Sequence, residues 1–148
     1  MNRINTFIII SLISIAMVFS ISHSCFAQKV KLLMSSETDM SGDHSYTLVG
    51  GRPNKVEVGH INTIRNLDFK KPWRKNFPKA DYYFRDSFKE ERQLSGGGQR
   101  FIFQFLIQDG CRACDPLGSA YVAYDFDATG RFLGTKILRF TKETNYRQ

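Results

Sequence analysis

The stretch from Arg100 to Phe140 constrains the fold more than any other part of the chain. "RFIFQFLIQ" sets Phe101, Phe103, Phe105 and Ile107 on one side of an extended backbone and Ile102, Gln104, Leu106 and Gln108 on the other. "SAYVAYDFD" does the same with Ala120, Val122, Tyr124 and Phe126. "RFLGTKILRF" alternates Leu133, Thr135 and Ile137 against Phe132, Gly134, Lys136 and Leu138. Strand side chains point to alternate faces, so each run offers a face to bury. "DGCRACDPLG" joins the first two runs and "DATG" the last two, local connections that suit antiparallel neighbours and require no crossover. Gly130 in the second connection suits a positive φ. The expectation is a three-stranded antiparallel meander at the C-terminal end.

Ahead of this the pattern changes. Pro72 and Pro78 break "FKKPWRKNFPK" into a loop, because proline fixes φ and removes a backbone donor. Pro78 then suits the first position of a helix. In "ADYYFRDSFKEERQL" Ala80, Phe84 and Phe88 recur every four residues, with Asp81, Arg85, Lys89 and Arg92 around them, and Gly96 to Gly98 follow as a stop. This predicts one amphipathic helix over about residues 78–94, packed on the meander. Nearer the start, "KVKLLMS", "YTLVGG" and "KVEVGHI" read as short strands, divided by a polar loop around Gly42 and by Gly50, Gly51 and Pro53. The whole predicts a single α+β domain, an antiparallel sheet packed against one helix.

Residues 1–27 read as a secretory signal peptide. Arg3 supplies the positive start, "FIIISLISIAMVFSI" the apolar run from Phe7 to Ile21, and "SHSCFAQ" the exit, with cleavage after Ala27. The apolar run is shorter than the roughly 20 residues of a membrane-spanning helix. A lipoprotein reading would acylate Cys25, but Ser22 stands where such a signal carries leucine or a similar apolar residue. An uncleaved anchor is the other alternative. Processing removes one cation and no acid from a chain of net charge +7, and it removes Cys25. Residues 28–148 then form the domain, with Cys111 and Cys114 as an even pair in an oxidising compartment, the periplasm or exterior of a bacterium.

The spacing Cys111-Arg112-Ala113-Cys114 is also that of thiol redox motifs, which open a helix whose N-terminus lowers the thiol pKa. Here Asp115, Pro116 and Gly118 lead into a strand instead. Zinc needs further ligands, and His44 and His60 lie upstream without paired spacing. A disulfide that closes the turn between two strands fits the pair best, with Arg112 at its tip. Closing so short a loop stabilises by roughly 2 kcal/mol in the chain-entropy model.

A second candidate is the loop that carries Lys70, Lys71, Arg74, Lys75 and Lys79, interleaved with Phe69, Trp73 and Phe77. The mixture suits an anionic partner through charge attraction and stacking. In a secreted protein that partner is a cell-wall polymer, a lipid headgroup at a membrane surface or an acidic protein, rather than nucleic acid. Alternatively Trp73 and Phe77 pin the loop to the core and the lysines are simply solvated. "SGGGQR" lacks the Gly-Lys-Ser/Thr ending of a phosphate loop and runs into a strand, so it reads as a flexible connector. Asp125 and Asp127 flank Phe126 at a hairpin end, where turn formation accounts for acids. With no recognisable nucleophile or acid-pair constellation, no metal-ligand spacing and no cofactor motif, a non-catalytic role is expected.

The run "CRACDPLGSAYVAYDFDATGRFLGT", Cys111 to Thr135, resembles the central segment of the Ivy-like bacterial inhibitors of vertebrate lysozyme. There a strand leads into a disulfide-closed loop, a Gly-Ser step and a hairpin rich in valine and aromatics. The corresponding features are the strand 100–108, Cys111 and Cys114, Gly118 and Ser119, and the hairpin 120–138. The resemblance implies a secreted, sheet-based domain that plugs a hydrolase. This chain departs from it in holding only Arg112 and Ala113 where the family's loop is longer and carries a histidine. Lysozymes are themselves usually basic, so a positively charged partner needs a locally acidic contact face. Three functions follow in order: a non-catalytic binding domain of the periplasm or exterior, an inhibitor or immunity protein of a hydrolase acting through Arg112, and an envelope enzyme or thiol-redox protein. The binding candidates are Arg112, Lys70, Lys71, Trp73, Arg74 and Lys75.

Overall fold

The computed structural model describes residues 29–38, 44–50, 55–111 and 114–143, and these are mostly antiparallel β-sheet with one short helix. The leader over residues 1–27, the region around Gly42 and Arg112 lie outside the described residues. Strands β1 (Lys31–Thr38), β2 (His44–Val49) and β3 (Lys55–Glu57) form one sheet in that order. The helix α1 (Ile61–Ile64) and a run of turns lead to β4 (Ala80–Gln93), β5 (Gln99–Asp109), β6 (Gly118–Phe126) and β7 (Phe132–Lys142), a four-stranded antiparallel sheet in sequence order.

The expected meander is β5, β6 and β7. Phe101 stands opposite Tyr124, Phe103 opposite Val122 and Phe105 opposite Ala120, and all six are buried. Phe103 is the hub: its ring lies 5.5 Å from Tyr124, 5.5 Å from Tyr46 of β2 and 5.6 Å from Phe88 of β4. Edge-on aromatic pairs of this kind add to the burial of apolar area, which dominates the stability of such a core. The small sheet closes on the large one through Leu48, Val56 and Tyr46. Two buried polar links tie them further. The Val30 amide donates to Gln99 Oε1 (2.6 Å), and the Gly59 amide donates to the Tyr124 hydroxyl (2.9 Å).

The amphipathic helix expected over residues 78–94 is corrected to the strand β4, which pairs along its length with β5. Tyr82 and Phe88 have strong strand propensity, and β5 without β4 would expose one whole row of backbone donors and acceptors. The four-residue spacing that suggested a helix fits a strand equally, because residues four apart also share a face at a period of two. Between Tyr83 and Ser87, and again between Phe88 and Glu90, β4 carries more residues than β5 opposite it. The first irregularity sets three β4 residues against one of β5, an excess of two that keeps the alternation in step, so Ala80, Tyr82 and Phe88 all reach the core side. The glycine run is a hairpin turn and not a helix stop: the Leu94 amide donates to the Gly98 carbonyl (2.8 Å), and Gly96 and Gly97 take φ of 86° and 83°.

Gly118 opens β6 where backbones crowd most. A Cβ there would collide with the Thr141 carbonyl of β7 and come within 2.9 Å of Trp73 Cζ2. Gly118→Ala is expected to lower unfolding stability by about 1–3 kcal/mol through overpacking. Denaturation by urea measures this, and an unchanged midpoint would mean that the loop over Gly118 is not seated there.

Candidate binding surface

Residues 65–79 form a chain of turns closed by local backbone bonds: Trp73 and Arg74 donate to Lys70, Phe77 to Trp73 and Ala80 to Phe77. Pro72 and Pro78 prevent these turns from merging into a helix. The aromatics of the stretch face inward. Phe69 packs between Tyr82 (4.7 Å) and Phe105 (5.7 Å), and Trp73, only 4% exposed, sits edge-on to Phe140 at 5.3 Å. The cations remain outside, together with Asn66, Asp68 and Asn76. Lys70 pairs with Asp81 at 3.4 Å and Arg74 with Asp68 at 2.7 Å. Lys71 and Lys75 are exposed, and no carboxylate among the described residues lies within ion-pair distance of either.

Sequence reasoning missed the second wall of this surface, the edge of β7. Asn66, Leu67, Asp68 and Lys71 on one side and Thr135–Phe140 on the other line an open groove of 320 Å³, which combines Leu67, Ile137 and Leu138 with the cations Lys71, Lys136 and Arg139 and with Asp68, itself paired to Arg74. Its geometry is fixed from both sides: the Thr135 hydroxyl donates to the Thr63 carbonyl at the end of α1. Arg139 lies with its guanidinium 4.1 Å above the Tyr121 ring, a cation–π contact, and its charge also acts on the Glu90 carboxylate of β4, which is paired with Arg92. Lys136 shares Asp125 with Arg100, at 3.3 Å and 2.6 Å. Two cations on one carboxylate leave a net positive charge. Burial pushes the Asp125 carboxyl up, but hydrogen bonds from Arg100 and Lys136 outweigh it and hold the group below its ordinary 3.8. The available signal was in "RFLGTKILRF", where the adjacent pairs Phe132-Leu133 and Ile137-Leu138 break a period of two.

The cysteine turn lies close to the basic loop. Cys111 and Cys114 are bridged, with Cα atoms 5.4 Å apart, and the Cys114 carbonyl accepts from Gln108 Nε2 (2.6 Å). Ala80 stands opposite Asp109, and an added Cβ at Gly110 would come within 3.2 Å of the Lys79 side chain. A cavity of 180 Å³ opens beside it, between Trp73, Asn76 and Phe77 of the loop and Leu117 and Lys142 of the sheet end. The bridged turn and the basic loop therefore flank one end of the large sheet, while Arg112 itself falls outside the described residues.

Asp125 and Asp127 have separate structural duties. Asp127 closes the β6–β7 turn by accepting from the Thr129 hydroxyl and amide and from the Arg131 amide and guanidinium. Those bonds, led by the Thr129 hydroxyl, hold its carboxyl down to about 2. Among the described residues no cluster of three His, Cys, Asp or Glu side chains is placed to hold a metal ion, and no helix is long and apolar enough to cross a membrane. Compared with family models, curated proteins and solved structures, the chain matches none.

Proposed function

We propose that the protein is a non-catalytic binding domain of the bacterial envelope or exterior, exported by the leader 1–27 and processed after Ala27. It holds an anionic envelope component or acidic protein on the face formed by Lys71, Lys75 and the β7 cations. The observation that carries this reading is the division of labour within one loop. Its aromatic side chains go to the core, and Lys71 and Lys75 are exposed with no acid among the described residues within ion-pair distance. Cations presented on an anchored loop lose little conformational freedom when a partner binds, and their field reaches about 8–10 Å at physiological salt.

The test is association of the exported protein with an envelope fraction from the producing cell across a salt titration. Binding is expected at low salt and release on approaching molar salt. Lys71→Gln combined with Lys75→Gln is expected to reduce it at least tenfold at unchanged stability, taking about 1 kcal/mol for each cation near an anionic surface. Equal binding by that variant would overturn the reading.

Export into an oxidising compartment has its own signature. Denatured protein recovered from the envelope or medium is expected to carry no titratable thiol, because Cys111 and Cys114 are joined and Cys25 leaves with the leader. Two thiols would contradict the bridge, and one would mean that Cys25 is retained. A second reading, a hydrolase inhibitor like the Ivy-like family, is supported by the bridge that fixes the turn at the sheet end. It assigns the contact to Arg112 and not to the lysines.

A further inference from the structure

We propose that the β7 edge docks on an anionic lipid bilayer. This narrows the cationic-face reading above and rests on it. The register of β7 carries the proposal. Tyr121 stands opposite Arg139 and Val122 opposite Ile137, which leaves Leu138 without a partner residue across the ladder. Asp125 stands opposite Gly134 and Phe126 opposite Phe132, which leaves out Leu133 in the same way. The two bulged residues are thus both leucines, and they are 38% and 56% exposed.

Edge strands commonly carry bulges and cations to prevent pairing with another chain. That device accounts for Lys136, Arg139 and Lys142, but it gains nothing from pushing leucines into water. Ile61 on α1, which docks against β7, is a third exposed aliphatic side chain, 58% exposed. Leu138 also lines the 320 Å³ groove, together with Lys71, Lys136 and Arg139, and the acid in that lining, Asp68, is already paired with Arg74. An acidic polymer would satisfy the cations and leave the leucines wet. A purely apolar partner would strand the charges. A bilayer with anionic headgroups offers phosphate to the cations and the acyl boundary to Leu133 and Leu138 at one contact.

The experiment is co-sedimentation of the exported protein with vesicles of phosphatidylcholine, with and without one-third phosphatidylglycerol. Binding is expected only to the anionic vesicles, with release at high salt. Leu133→Asn combined with Leu138→Asn is expected to weaken binding about tenfold, and Lys71→Gln combined with Arg139→Gln about 25-fold, at about fivefold per cation. Thermal midpoints of both variants check that they are folded. If the leucine variant binds like the unaltered protein while the cation variant does not, lipid docking is overturned and the cationic face stands. The same follows if anionic vesicles are ignored while salt-sensitive association with envelope fractions persists. A cation variant that binds vesicles undiminished overturns both.

Discussion

Trp73→Ala is expected to destabilise the protein by about 3–5 kcal/mol, the usual cost of deleting a large buried aromatic side chain. For a domain of this size that is a large part of the total stability. The ring is nearly enclosed, meets Phe140 edge-on at 5.3 Å and seats the basic loop over Gly118. Trp73→Phe, which refills part of the space, is expected to cost less than half as much. Trp73 is the one tryptophan of the chain, so both variants lack its fluorescence, and far-UV circular dichroism along a urea series reads the transition in all three proteins. A residue that merely stacked on a ligand would behave differently: its loss would leave unfolding stability within about 0.5 kcal/mol and abolish binding alone. Trp73→Ala should do the reverse in order, unfolding the loop's support first and weakening capture as a consequence.

Asp125→Ala is expected to cost about 3 kcal/mol. It strips the carboxylate from between Arg100 and Lys136 and leaves the guanidinium, 19% exposed, without its bidentate partner. Replacing Arg100 and Asp125 together by apolar residues of similar volume should recover much of the loss, because the penalty lies in the stranded charge. The pH dependence has a definite sign. The folded state holds the Asp125 carboxyl below 3.8, so its contribution is complete above the unfolded value and is lost as pH falls through the folded one. The stability gap between the protein and Asp125→Asn should therefore narrow below about pH 4 and stay constant at neutral pH. Asp127, held at about 2, should lose its proton-linked contribution over the same acidic range, visible as an NMR titration of its carboxyl carbon near pH 2. A gap that widened on acidification would contradict the geometry of the triad.

The C-terminal meander was legible because nothing interrupts its alternation. Phe101, Phe103, Phe105 and Ile107 lie opposite Tyr124, Val122, Ala120 and Gly118 of β6 in unbroken register, and all four are buried, as are Ile102 and Gln108 on the other face. The three short N-terminal strands were legible for the same reason, from Val56 flanked by Lys55 and Glu57 and from the glycines between them. β4 was not, because Ala80, Phe84 and Phe88 recur every four residues, a spacing that shares a face in a helix and in a strand alike. Which outcome wins is decided by a partner strand far along the chain, beyond the reach of local periodicity. The same limit hid half of the candidate surface. The lysines of residues 70–75 announce themselves as a cluster, but Lys136 and Arg139 join them only once β7 folds beside the loop. The role of Trp73 also depended on packing: the same "KKPWRKNF" suits a stacking platform or a buried anchor, and the tertiary contact with Phe140 makes it the second.

The most direct test of the cationic groove as a contact surface is amide hydrogen exchange of the protein, with and without a bacterial envelope fraction at low salt. The account predicts added protection over Leu67–Lys75 and Thr135–Phe140, on the two walls of the cationic groove, lost on adding salt. Protection confined to Gly110–Asp115, at the bridged turn, would contradict it and transfer the contact to Arg112.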